Sequence, residues 1–129
     1  MYAIVVAQFN KEITDGLLQG ARKALKGEAV EVFEVPGAWE IPFMTNNLAR
    51  SGEYKAIITL GAVIKGKTSH DYWINHAIFP ALQEIALREL VPVTLGIITC
   101  NNWKQAKLRS SNNKDNRGYC AALAAKQMV

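Results

Sequence analysis

Four short apolar runs, each separated from the next by a stretch of helical periodicity, constrain the fold of this chain more than any other feature. They are Tyr2–Ala7, Ala29–Val35, Ala56–Leu60 and Val93–Thr99. The first, third and fourth are nearly continuous and rich in β-branched residues, as strands covered on both faces should be. The second alternates apolar residues with Glu31 and Glu34, the pattern of an edge strand with one wet face.

Helical stripes fill the gaps. Ile13, Leu17, Leu18, Ala21, Ala24 and Leu25 recur at three- and four-residue spacing, with Gly27 as the stop. Ile41, Met44, Leu48 and Ala49 form a second stripe that ends at Ser51-Gly52. Trp73, Ala77, Ile78, Ala81, Leu82, Ile85, Ala86 and Leu90 form a longer third, in which Pro80 predicts a kink or an interrupted first turn. Trp103–Arg109 and Gly118–Met128 read as two further helices, divided by the polar run Ser110–Asn116. The order βαβαβαβαα predicts a single α/β domain over residues 1–129, without repeat or linker. It would be a three-layer sandwich: a four-stranded parallel sheet, right-handed crossovers and helices on both faces. In such folds ligands sit beyond the carboxyl ends of the strands.

Composition narrows the function classes. A chain that is 50% hydrophobic and 20% charged can bury an ordinary core. The formal charge of +4 is modest, and no dense basic stripe with interleaved aromatics speaks for nucleic acid. No apolar stretch approaches the ~20 residues needed to span a membrane. The opening MYAIVVAQFN is too short for a secretory core and has no preceding basic residues. Cys100 and Cys120 fit no metal or redox spacing and read as reduced thiols, so a cytoplasmic protein is expected. There is no GxGxxG, Walker A sequence, metal-ligand cluster or G-x-S-x-G elbow. Hydride transfer, phosphoryl transfer from ATP and metal hydrolysis are therefore poorly supported, and a cofactor-free condensation or isomerisation stays open.

Three segments share the expected ligand edge: Gln8-Phe9-Asn10, Val35–Pro42 and Gly61–His70. Gly66-Lys67-Thr68-Ser69 falls where the long helix begins, so free N–H groups, hydroxyls and Lys67 could cradle an anion, or Ser69 could simply cap the helix. His70 in the first turn could move protons near neutral pH or be structural. Phe9 and Trp39 could stack on a planar heterocycle or plug the core end. Glu40 could accept from sugar-like hydroxyls or merely favour a helix N-terminus. Arg109 could hold a phosphate or sit idle in a last helical turn.

Together these segments resemble lumazine synthases, enzymes of riboflavin biosynthesis. The resemblance is carried by VVAQFN at 5–10, VPGAWEIP at 35–42 and GAVIKGKTSH at 61–70. VPV at 91–93, GIIT at 96–99, Gln105-Ala106 with Arg109, and Asn116-Arg117-Gly118 extend it over essentially the whole chain. It implies a flavodoxin-like fold and a cofactor-free, metal-free condensation. That reaction joins 5-amino-6-ribitylaminouracil to 3,4-dihydroxy-2-butanone 4-phosphate, giving 6,7-dimethyl-8-ribityllumazine, phosphate and water. It also implies a homo-oligomer, either a pentamer or an icosahedral shell of pentamers, with sites between subunits and riboflavin synthase as a possible partner. Carried over by position, Phe9 would stack on the pyrimidine, Ala38 and Trp39 would touch it, and Glu40 would hold the ribityl hydroxyls. Ala62, Val63 and Ile64 would bind the pyrimidine edge, Lys67 and Thr68 the phosphate, and His70 would transfer protons. Leu95 and Arg109 would come from the adjacent subunit, and Arg117 aligns with a family lysine near the site. The chain differs from the usual pattern in Trp39 and Leu95, where the family has Phe, and in the order Asp71-Tyr72. A second reading makes it a catalytically weak relative, kept as a shell scaffold or flavin-like ligand binder. A response-regulator-like domain would want an acidic cluster at the strand ends, where only Glu40 and Asp71 stand.

Overall fold

The computed structural model describes residues 1–129. Strands β1 (Tyr2–Ala7), β2 (Val30–Val35), β3 (Ala56–Ile64) and β4 (Val93–Cys100) alternate with helices α1 (Lys11–Ala24), α2 (Ile41–Ser51) and α3 (His70–Glu89). Helices α4 (Trp103–Arg109) and α5 (Arg117–Gln127) close the chain, and a short 3-10 turn, Ala38–Glu40, precedes α2. All strand pairs are parallel, in the order β2-β1-β3-β4. The strand with alternating glutamates is indeed an edge strand, its Glu31 and Glu34 exposed.

Strand periodicity divides the core in two. Tyr2, Ile4 and Val6 of β1 and Ile58, Leu60 and Ala62 of β3 face Ile13, Leu17 and Ala21 of α1, with α5 beside them. Their alternates Ala3, Val5, Ala7 and Ile57 face Ile41 and Leu48 of α2 and Ile78, Leu82 and Ile85 of α3. Each fully buried Ile or Leu contributes about 1.5–3 kcal/mol, so both helical layers are firmly attached. Thr59 is the polar residue inside β3, and its hydroxyl donates to the Thr94 carbonyl at 2.8 Å.

The chain leaves β1 toward β2 on one side and returns to β3 on the other. The connections after β1 and β3 therefore diverge, and a crevice opens between their carboxyl ends. Two expectations are corrected here. Gly61–Ile64 belongs to β3, whose pairing with β4 continues through Ile64↔Cys100. Nor does Pro80 interrupt α3, which runs unbroken from His70 to Glu89. Pro80 is exposed, so water can satisfy the carbonyl that its missing N–H leaves free.

Candidate active site

The pairing of β1 with β3 ends at Val6↔Leu60, whereas β3 goes on to Ile64. This overrun makes a step in the sheet at the topological switch point. Above the step lies a cavity of about 510 Å3. Ala62, Val63 and Ile64 line it, from the end of β3. Phe9 and Asn10 come from the end of β1, and Gly37, Ala38 and Trp39 from the end of β2. Gly66, Thr68, His70, Asp71 and Ile74, from the loop after β3 and the first turns of α3, complete the lining.

Phe9 is 70% exposed and Trp39 61%, which excludes the reading that they plug the core. Large aromatic faces left open to water mark a surface that binds something. The entry to α3 also differs from the capping expected of Ser69, whose side chain makes no cap bond. Instead the His70 N–H donates to Thr68 Oγ1 at 3.3 Å, which turns the Thr68 side chain toward the cavity lining. Residues 65–70 are exposed, so the loop's remaining N–H groups stay available to an anion. The imidazole of His70 is exposed as well, where it can exchange protons with a bound molecule.

Eight of the sequence-predicted residues thus meet in one place: Phe9, Ala38, Trp39, Ala62, Val63, Ile64, Thr68 and His70. Glu40, Lys67, Leu95, Arg109 and Arg117 are not among the lining residues. Glu40 is nonetheless adjacent, because its Oε1 lies 3.2 Å from where a Cβ on the lining residue Gly37 would stand. Lys67 lies between the lining residues Gly66 and Thr68 in the exposed loop. Leu95 sits near the start of β4 and is 49% exposed on that edge strand. Arg109 ends α4, and its Nη1 donates to the Thr99 carbonyl at 3.2 Å and to Cys100 Sγ at 3.5 Å. Arg117 opens α5 and is exposed.

Asn10, Gly37, Asp71 and Ile74 also line the cavity without having been singled out for a role. Ile74 is four residues after His70, a spacing that puts both on one helix face. For Asn10 and Gly37 the sequence signals were their position at strand ends and their place in the matching segments 5–10 and 35–42. The chemical repertoire is clear. Two aromatic walls and an apolar floor offer room for a planar ring, a hydroxyl and exposed loop N–H groups are suited to an anion, and an imidazole is suited to proton transfer.

A second cleft, of about 530 Å3, lies between α1 and the α4–α5 connection and is lined by polar groups from Gln19, Lys23, Ser110, Asn112 and Asn116, among others. Its central side chain is already engaged. Asn116 is 2% exposed; its Nδ2 donates to Gly16 and Ser111 carbonyls and its Oδ1 accepts from the Gly118 and Tyr119 N–H groups.

Comparison with known proteins agrees with the geometry. The family model of 6,7-dimethyl-8-ribityllumazine synthase matches residues 1–129. The 6,7-dimethyl-8-ribityllumazine synthase of Limosilactobacillus reuteri is 42% identical over 129 residues, covering 98% of this chain and 85% of that enzyme. The enzyme of the same name from Xanthomonas euvesicatoria pv. vesicatoria is 38% identical over 133 residues, covering 99% of this chain and 86% of its own length. A full-length match of this kind, on a chain three of whose matching segments converge on one cavity, leads to one conclusion: the chain belongs to the 6,7-dimethyl-8-ribityllumazine synthase family.

Proposed function

We propose that this enzyme condenses 5-amino-6-ribitylaminouracil with 3,4-dihydroxy-2-butanone 4-phosphate, and that the cavity at the β1/β3 step holds both substrates. One observation carries the reading: Phe9, Trp39 and His70, which are far apart in sequence, line a single cavity together with the apolar end of β3. The pyrimidine lies against Phe9, with Ala38, Trp39 and the Ala62–Ile64 edge around it. Glu40, beside Gly37, accepts hydrogen bonds from the ribityl chain. The phosphate sits at the loop before α3, on Thr68, Lys67 and free backbone N–H groups.

The amine of the pyrimidine attacks the ketone of the butanone, water leaves to form an imine, phosphate is eliminated and the ring closes. Every step moves a proton, and the exposed imidazole of His70 at the cavity takes and returns one. The larger share of the rate comes from holding two substrates in register.

The working form is a homo-oligomer with sites between subunits. Its support lies in what the single chain leaves unfinished. Leu95 is 49% exposed on the β4 edge, and Phe9, Trp39, Phe43 and Trp73 are each more than 60% exposed. A neighbour would cover these faces and bring its own Leu95 and Arg109 to the cavity, with Arg117 near the same site. A cytoplasmic site of action fits two free cysteines, and no helix is long and apolar enough to cross a membrane.

The test mixes purified protein with both substrates and follows lumazine absorbance and fluorescence after subtracting the uncatalysed condensation. Light scattering gives the mass of the particle at the same time. Product above background, reduced in His70→Ala and Arg109→Ala, supports the reading; a background rate from intact assembled protein overturns it.

A further inference from the structure

Asn10 stands in the left-handed region, with φ 62° and ψ 49°, at the N-cap of α1. Asparagine is favoured at N-caps because its side chain can accept from the first N–H groups of the helix. Here it makes no such bond. Its backbone carbonyl alone receives the Ile13 and Thr14 N–H groups, at 2.9 and 3.1 Å. The side chain turns the other way, and Nδ2 donates to the Ala62 carbonyl at 3.0 Å.

That bond spans the step in the sheet. Beyond β1 the chain leans toward β2: the Gln8 N–H donates to the Val35 carbonyl at 2.8 Å and the Phe9 N–H to the Pro36 carbonyl at 3.0 Å. Nothing in the ladder ties Phe9 to β3, because the β1–β3 pairing has ended at Leu60. The Asn10 amide supplies the missing tie one residue later. Phe9 is therefore held between a main-chain bond to the β2 end and a side-chain bond to the β3 end. The carbonyl it grips belongs to the cavity floor.

We infer that Asn10 is a positioning residue, a latch from β1 to the cavity floor that sets the height and angle of the Phe9 ring over the pyrimidine slot. This inference rests on the reading of Phe9 as a wall of that slot. The left-handed backbone lets the latch form while α1 still starts, which explains why a residue tolerant of positive φ stands here.

The experiment measures steady-state kinetics of the assembled enzyme for Phe9→Ala, Asn10→Gly and the double variant, with Tm alongside. Glycine keeps the backbone conformation and removes only the latch. The expected result is an increase of about tenfold in KM for 5-amino-6-ribitylaminouracil in Asn10→Gly, with kcat and the KM for the butanone phosphate near wild type, since a lost base–aromatic stack is worth about that much. In the Phe9→Ala background the same change adds nothing, because Asn10 acts through the ring. If Asn10→Gly does not assemble, Asn10→Asp carries the same test, as it tolerates positive φ but offers no N–H donor.

A lowered Tm with both KM values unmoved overturns the latch, and so does a full additive loss in the double variant. An unmoved KM in Phe9→Ala overturns the wall itself and the latch with it. A raised KM in Phe9→Ala with a wild-type KM in Asn10→Gly overturns the latch alone.

Discussion

The cavity at the strand ends and the cleft beside α1 are nearly equal in volume, about 510 and 530 Å3, yet they are built in opposite ways. The cleft converges on a buried amide whose Nδ2 makes two hydrogen bonds and whose Oδ1 accepts two more, so that amide is fully paired within the chain. The cavity leaves its aromatic faces, its imidazole and the loop before α3 open. A satisfied polar network rigidifies a joint, whereas unsatisfied, converging groups leave binding energy to be used by a ligand. Size alone would rank the two equally. The distribution of unmet contacts separates a structural joint from a working site.

Disrupting the joint is expected to affect stability far more than chemistry. Asn116→Ala strands two carbonyls and two N–H groups, and should cost about 3–4 kcal/mol at ~1–3 kcal/mol for each buried group left unpaired, discounted for water entry. Chemical denaturation measures it, and an unchanged KM in the folded fraction would sharpen the contrast. At the cavity the order reverses. His70→Ala should lower kcat about 100-fold while leaving measurable turnover and a native Tm. Complete loss of activity with intact assembly would mean that proton transfer, rather than orientation, dominates the rate.

Smaller effects probe the same division. Gly118→Ala would place a Cβ 1.9 Å from the Leu17 carbonyl oxygen, where α5 crosses α1. The helices must part, for a loss of about 2 kcal/mol in denaturation with the substrate constants unmoved. Arg109→Ala should raise KM for the butanone phosphate about tenfold, the value of one charge-assisted contact, with little change in the KM for the pyrimidine. An unmoved phosphate KM would remove Arg109 from the site.

A pH-dependent effect lies away from both regions. Tyr54 is buried, and its hydroxyl donates to Glu31 Oε1 at 2.8 Å; burial, then the glutamate, pushes its pKa up to about 12 from 10.0. The folded state thus holds this proton more tightly than the unfolded chain does. Its contribution to stability is complete below pH 10 and is lost as pH rises toward 12. Tyr54→Phe should flatten the stability profile across that window, and a profile identical to wild type would exclude the cause.

Much of this was legible before any coordinates. Runs such as Tyr2–Ala7 are buried on both faces, and the alternation of Glu31 and Glu34 marked β2 as an edge, because periodicity reports which faces meet water. His70 and Thr68 fell correctly at the start of a helix. What misled was local punctuation: Gly61 looked like a strand end, and Pro80 like a break. Gly61 is buried in continued pairing with β4, and Pro80 lies where solvent can take the freed carbonyl. Ser69 is a good cap by type, but the adjacent Thr68 hydroxyl was in reach of the His70 N–H instead.

By itself, then, the sequence determined the alternation of strands and helices, the wet edge at β2 and the residue types gathered at the ligand edge. These follow from solvation and local propensity, which act within a few residues. Only the tertiary structure decided that β3 outruns β1 by a step, that Asn10 reaches across that step to Ala62, and that Phe9 and Trp39 stay uncovered rather than filling the core. Those outcomes depend on strand register and on pairs 52 residues apart, such as Asn10 and Ala62. Register is set by the simultaneous packing of two helical layers on one sheet, and no local window of sequence contains that sum.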